Sequence, residues 1–208
     1  MVRRSVAPLY RGFFGVLTLA AITTQLVAAS ATPTFSPVNY FSYFTIDSNL
    51  VAAAVLLIGA AVRQRSRTLD LLRGAAVVYM VVVGVVFTLL LSGTDVDTAI
   101  PWVNTVVHEL MPMVMVADWL LDPPAHRLSL RQSLLWLSFP FVWILYTLVR
   151  GAITGRYPYP FLNPTNGGYG SVAAYSAAIF VLLMVVCAVV VWIGNAPRPS
   201  GLLPSPGS

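Results

Sequence analysis

Apolar residues in this chain fall in six long runs, each close to the ~20 residues with which a helix crosses the hydrocarbon core of a bilayer. The connections between the runs and the two ends of the chain hold nearly all of the charge. The runs are Gly12 to Ser30, Phe41 to Val62, Gly74 to Ser92, Pro101 to Leu121, Ser133 to Val149 and Gly170 to Ile193. Of the 208 residues 58% are hydrophobic and 9% charged, where soluble domains have roughly a quarter charged. Backbone polar groups in hydrocarbon must be paired within their own segment, so runs of this kind are helices. The expected fold is an all-α integral membrane protein, a six-transmembrane-helix bundle. One membrane domain (12–193) is expected between a short N-terminal segment (1–11) and a tail (194–208) whose Pro, Ser and Gly content predicts disorder.

The net charge of +5 comes from arginine, because the chain has no lysine. Without a basic stripe carrying interleaved aromatics, no nucleic-acid partner is expected. Six spans place both termini on one side. Arg3, Arg4, Arg11, Arg63, Arg65, Arg67, Arg73, Arg127, Arg131 and Arg198 fall on that side; Arg150 and Arg156, with Asp95 and Asp97, fall on the other. The positive-inside rule then predicts cytoplasmic termini in a multi-pass protein of the plasma membrane. The first run resembles a signal peptide, with Ala28-Ala29-Ser30 as a small-residue cleavage site. It is long for a signal core and five runs follow, so it is read as a retained helix. Cys187 is the one cysteine and there are two histidines, which predicts no disulfide, no zinc site and no other cofactor. His108 and His126 fall on opposite sides, which does not suit two ligands to one haem iron.

The fourth run is the unusual one. It carries Asn104, His108, Glu109, Pro112 and Asp118, and an ionisable residue inside a span is a functional-site hypothesis by default. At helical spacing Asn104, His108, Met111, Pro112 and Met115 share one stripe. Pro112 lacks the N–H that would bond the carbonyl of His108, so a bend is expected there.

The second run enters with a polar stripe of its own. Ser42, Thr45, Ser48 and Asn49 share one face, and Asp47 lies nearly opposite. Thr45 is four residues beyond Phe41, roughly 6 Å along the axis, and His108 is six beyond Trp102, roughly 9 Å. Both runs start on the outer side, so the two side chains lie at similar depth in the outer leaflet. If the helices are neighbours, axes ~8–10 Å apart put the two within reach. A threonine hydroxyl with a histidine base is a nucleophile in waiting. Asn49 and Asn104 qualify by type and face as donors to an oxyanion. The outer connection that begins at Arg150 and Arg156 continues as Tyr157-Pro158-Tyr159-Pro160-Phe161. Its rigid aromatic character suits a segment folded over the bundle mouth, with the two arginines and Tyr157 and Tyr159 as contacts for a head group.

The six runs, the segment Tyr43-Phe44-Thr45-Ile46-Asp47-Ser48-Asn49, His108 followed by Pro112 and Asp118-Trp119, and Tyr157-Pro158-Tyr159-Pro160-Phe161 together resemble a bacterial six-helix membrane family. That family is similar, distantly, to the eukaryotic androgen-induced membrane hydrolases, which cleave fatty-acid esters of hydroxy fatty acids with an intramembrane threonine and histidine. The resemblance covers the chain from about Arg11 to Ile193. It implies Thr45 as nucleophile, His108 as base and a membrane lipid or lipid-like small molecule as substrate.

Two readings therefore stand: a lipid-ester hydrolase of the outer leaflet, and a small transporter or lipid-binding protein using Asp47, His108, Glu109 and Asp118. An accessory structural role is a third. Whether the chain is an enzyme, and how many copies assemble, the residues leave open. The topology is directly testable. Cysteines introduced at Thr94 and Thr165 are expected to react with an impermeant thiol reagent in intact cells, and one at Ser66 is not; labelling at Ser66 alone would invert the orientation.

Overall fold

The computed structural model describes residues 2–62, 64–93 and 100–197, with side chains from Val6 onward. The described residues are overwhelmingly helical and contain no strand. Six long helical segments follow one another: α1 (Val2–Ser30), α2 (Phe44–Ala61), α3 (Arg67–Leu91), α4 (101–121), α5 (Leu130–Thr154) and α6 (Gly168–Gly194). All but α4 are long and apolar enough to cross a membrane. α4 misses that standard because Asn104, His108, Glu109 and Asp118 interrupt its apolar residues. α1 lies along α2, α2 along α3, and α3 against both α4 and α6. Outward faces carry bare apolar side chains, such as Phe141, Val142, Val149 and Ile153 on α5. That is the arrangement a lipid solvent favours.

Helix ends differ from the expected ones where capping outweighs hydropathy. α3 starts at Arg67 and not at Gly74, because the Ser66 side chain accepts the Leu69 N–H at 3.1 Å and Asp70 stands in the first turn. Asp70 and Arg73, expected in a connection, are thereby wound into the helix. α5 runs on to Thr154 and takes in Arg150; Gly155, at φ +71°, ends it in the left-handed conformation that glycine adopts freely. The 31–40 connection contains a one-turn helix, Pro37–Tyr40, capped by Ser36. The Tyr40 hydroxyl donates to the Ile22 carbonyl at 2.9 Å, and burial pushes this phenol up to about 12. Arg63, the Asp95 and Asp97 connection, and the tail from 198 on lie outside the described residues.

At the end where α2 and α4 finish, the charges expected in connections are folded inward. Arg11 of α1 donates from Nε to Asp118 Oδ1 at 2.6 Å, and Arg73 of α3 donates from Nη2 to Asp118 Oδ2 at 2.6 Å. Asp118 is 3% exposed and the two arginines 4% and 1%. Asp122 takes Arg11 at 2.7 Å and also pairs with Arg65. Burial, and after it the nearby Arg73, pulls Arg65 down to about 10. Asp70 accepts from the backbone of Ala125 and His126 and contacts His126 Nδ1 at 2.9 Å. Three guanidiniums thus face three carboxylates. The Arg73 guanidinium also lies 5.5 Å over the Trp119 ring, whose indole N–H donates to the Val190 carbonyl of α6.

Removing one partner of a buried ion pair strands the other's charge, at a cost of about 3–5 kcal/mol. Asp118→Ala is expected to lower unfolding stability in detergent by that order, as measured by denaturant titration. Glu109→Gln, on an exposed face of α4, is expected to change it by less than about 0.5 kcal/mol.

Candidate functional site

The proline of α4 reorganises its backbone. Pro112 offers no N–H, and the preceding Met111 N–H reaches back five residues to the Val106 carbonyl, so Val106–Leu110 is one turn of π-helix. The Val107 carbonyl, deprived of its usual donor, is taken by Asn49 of α2, whose Nδ2 donates to it at 3.0 Å and to the Thr45 carbonyl at 2.9 Å. One buried amide therefore staples the Thr45 turn of α2 to the His108 turn of α4, and the expected contact between these helices is present. On the far side Gly84 of α3 makes room for the proline: a Cβ there would stand 3.0 Å from Pro112 Cβ.

His108 is fixed on two sides. Its ring stacks on Phe87 of α3, with centroids 4.2 Å apart and planes 15° from parallel. Its Nδ1 lies 2.8 Å from Asn104 Oδ1, one turn earlier on the same stripe. An amide oxygen only accepts, so Nδ1 carries a proton, and in the neutral imidazole the lone pair is on Nε2. Asn104 therefore orients the histidine and does not present its amide N–H groups to it. The same logic applies to Asn49, whose NH2 is engaged by two carbonyls. Asn49 is therefore not placed as the expected oxyanion donor, and the bond Asn104 makes is through its acceptor Oδ1.

Thr45 is 6% exposed and meets the outer connection. Tyr159, itself buried, sends its hydroxyl to within 3.3 Å of both the Thr45 backbone nitrogen and Thr45 Oγ1. The ring is held by Tyr43, Trp143 and a parallel stack on Phe161 at 5.3 Å. Burial pushes its phenol up, so the group keeps its proton and remains a donor. Tyr157 seals the segment from above, lying directly on Gly151 where no side chain could fit. This segment was read as a cover with head-group contacts, and the depth to which Tyr159 reaches was not legible. The alternation Tyr-Pro-Tyr-Pro is the signal that was there, since an extended stretch sends Tyr157 and Tyr159 the same way.

The remaining expected residues are distributed unevenly. Ser42 is buried, its hydroxyl donating to the Val38 carbonyl and lying 3.0 Å from Tyr146 OH. Ser48 Oγ and Asn49 Oδ1 are fully buried and have no hydrogen-bond partner. Asp47 is half-buried, Glu109 exposed. Arg150 is tied to the Asn39 side chain and Arg156 is exposed. Thr45 and His108 are not hydrogen-bonded to each other among the described residues: the one turns to Tyr159, the other to Asn104. Nor are the four groups of the transport reading gathered, because Asp118 is committed to two arginines at the other end. No group of three or more His, Cys, Asp or Glu that could hold a metal ion occurs among the described residues. Comparison with protein families, with characterised proteins and with solved structures finds no match for this chain.

The staple carries a stability expectation. Asn49→Leu leaves the Val107 carbonyl buried and unpaired, which costs about 1–3 kcal/mol. Thermal unfolding in detergent should fall accordingly, and an unchanged midpoint would show that the two helices do not depend on that bond.

Proposed function

We propose that this is a multi-pass membrane protein whose six helices all span the bilayer, with both termini cytoplasmic, and that it hydrolyses lipid-like esters in the outer leaflet. Five sufficiently apolar helices support the span count, together with an α4 that turns Asn49-bound, histidine-bearing and ion-paired faces inward. Arg11, Arg65, Arg73, Arg127 and Arg131 lie towards the end opposite Thr45, which agrees with a cytoplasmic placement of that end.

The observation that carries the hydrolase reading is the buried histidine held by Asn104 with its Nε2 lone pair uncommitted, in a turn stapled to that of Thr45. In the proposed reaction His108 Nε2 takes the Thr45 hydroxyl proton while Oγ1 bonds to the ester carbonyl carbon. The alcohol departs with that proton. Water, deprotonated by the same nitrogen, then releases the acid and frees Thr45. Asn104 plays the orienting part of a third triad member. Arg156, exposed at this end, suits the acidic head of a substrate better than Arg150, which Asn39 engages. Transport through Asp47, His108, Glu109 and Asp118 is the weaker reading, since Asp118 is neutralised by two guanidiniums.

The purified protein is expected to react with an alkyl fluorophosphonate at Thr45. Thr45→Ala should abolish labelling, and His108→Ala should slow it by roughly 10²–10⁴-fold, the usual share of a positioned base. Asp118→Asn, as far as it folds, should label like the parent. Equal labelling of the Thr45→Ala protein would sink the assignment.

A further inference from the structure

An acyl transfer at Thr45 needs donors for the negative oxygen that forms on the substrate carbonyl; Asn49 has its NH2 on two carbonyls, and Asn104 turns its Oδ1 to His108. We propose, on the premise of the hydrolase reading, that Tyr159 is a further catalytic residue: its phenol O–H and the backbone N–H of Thr45 together form the oxyanion hole. The two groups already converge. The phenol oxygen lies 3.3 Å from the Thr45 nitrogen and 3.3 Å from Oγ1, so nucleophile and both donors bound one small triangle. An oxygen on the carbon bonded to Oγ1 would take both donors at about 2.7–3.1 Å, the range such donors require.

Three features suit Tyr159 to this work. The ring is fixed by Tyr43, Trp143 and Phe161, so the O–H is aimed before substrate arrives. The hydroxyl is buried, where a donor acts at low dielectric. Its present bonds are long at 3.3 Å and are readily exchanged for a stronger one to an anion. In the resting site the phenol accepts from the Thr45 N–H and donates to Oγ1, which leaves the Thr45 proton for His108 Nε2. As the Oγ1–carbon bond forms, the carbonyl π pair moves to oxygen, the phenol O–H rotates to it, and the fixed N–H donates to it as a second acceptor beside the phenol oxygen. When the alcohol leaves, the pair returns, the phenol O–H goes back to Oγ1 and the Thr45 N–H to the phenol oxygen. No proton leaves Tyr159 at any step.

The test compares the parent with Tyr159→Phe in detergent, a change of one oxygen that keeps the ring contacts. The rate constant for inactivation by an alkyl fluorophosphonate, whose phosphoryl oxygen occupies the oxyanion position, should fall roughly 10²–10³-fold, the usual loss for one such donor, with the half-saturating probe concentration unchanged. A matched pair of long-chain oxo- and thiono-esters gives a readout that packing does not move. The parent should strongly prefer the oxo-ester, because sulfur is a poor acceptor, and the variant should lose most of that preference. 3-Fluorotyrosine at 159, a stronger donor of nearly the same shape, should react at least as fast as the parent. A variant labelled at the parent rate, a loss confined to the half-saturating concentration, or an unaltered ester preference overturns the inference while leaving Thr45 as nucleophile. Faster labelling would make the hydroxyl an obstruction and overturns it equally. A parent that never labels at Thr45 removes the hydrolase reading and this inference with it.

Discussion

Asp118 is gripped from two helices at once, and the positions of the others follow from that grip. Arg11 sets how far α1 is slid along α4, and Arg73 does the same for α3. With the register set, Tyr10 meets the Val114 carbonyl at 2.8 Å and the Thr18 hydroxyl lies 2.9 Å from Met111 Sδ, each about one turn farther along α4. Apolar helix faces in lipid have little preference for one sliding position over another. A buried ion pair adds little net stability over an apolar substitute, but it penalises every misaligned arrangement that strands a charge.

The opposite end is governed by directional hydrogen bonds between neutral groups. Asn49, Asn104, Thr45 and Tyr159 are polar without formal charge, and their bonds run between α2, α4 and the outer connection. Two buried acceptors on α2, Ser48 Oγ and Asn49 Oδ1, are unmatched. Buried polar atoms are nearly always paired in native proteins. Such exceptions occur at both ends, since Asp70 Oδ1 and Arg73 Nη1 in the ionic cluster are also unmatched, while the carboxylate of Asp118 accepts from two arginines.

Hydropathy made the helices legible, and the fourth run's polar residues marked the segment that departs from regularity. Thr45, His108 and Pro112 were legible because polar atoms in an apolar run are expensive and so conspicuous. The ionic cluster was hidden by the same logic. Asp70 and Arg73 sit beside other charges in a stretch that reads as a connection, and only the Ser66 cap shows that the helix has already begun. Asn104 and Asn49 carried the right residue types, but the sense of their bonds depends on which carbonyl the proline releases. Tyr159 was placed at the mouth because no local pattern reports how far a connection folds inward.

The π turn of α4 is in effect one inserted residue. Ahead of it the buried position is Val103 and within it Val106, Val107 and His108; after it they are Met111, Pro112, Val114, Met115, Asp118 and Trp119. An unbroken 3.6-residue repeat carried forward from Val103 would centre the later buried face about one residue earlier and bring Met113, now outward, towards the interior. The two halves of α4 thus keep different phases, and the bulge is the gear between them. Deletion of a single residue within 106–110 would remove the bulge and leave the second half of α4 in its present phase. Asp118 and Trp119 would keep the face that meets Arg11 and Arg73. A single-residue deletion between Met111 and Asp118, where no bulge takes it up, would instead rotate Asp118 and Trp119 by about 100° off that face.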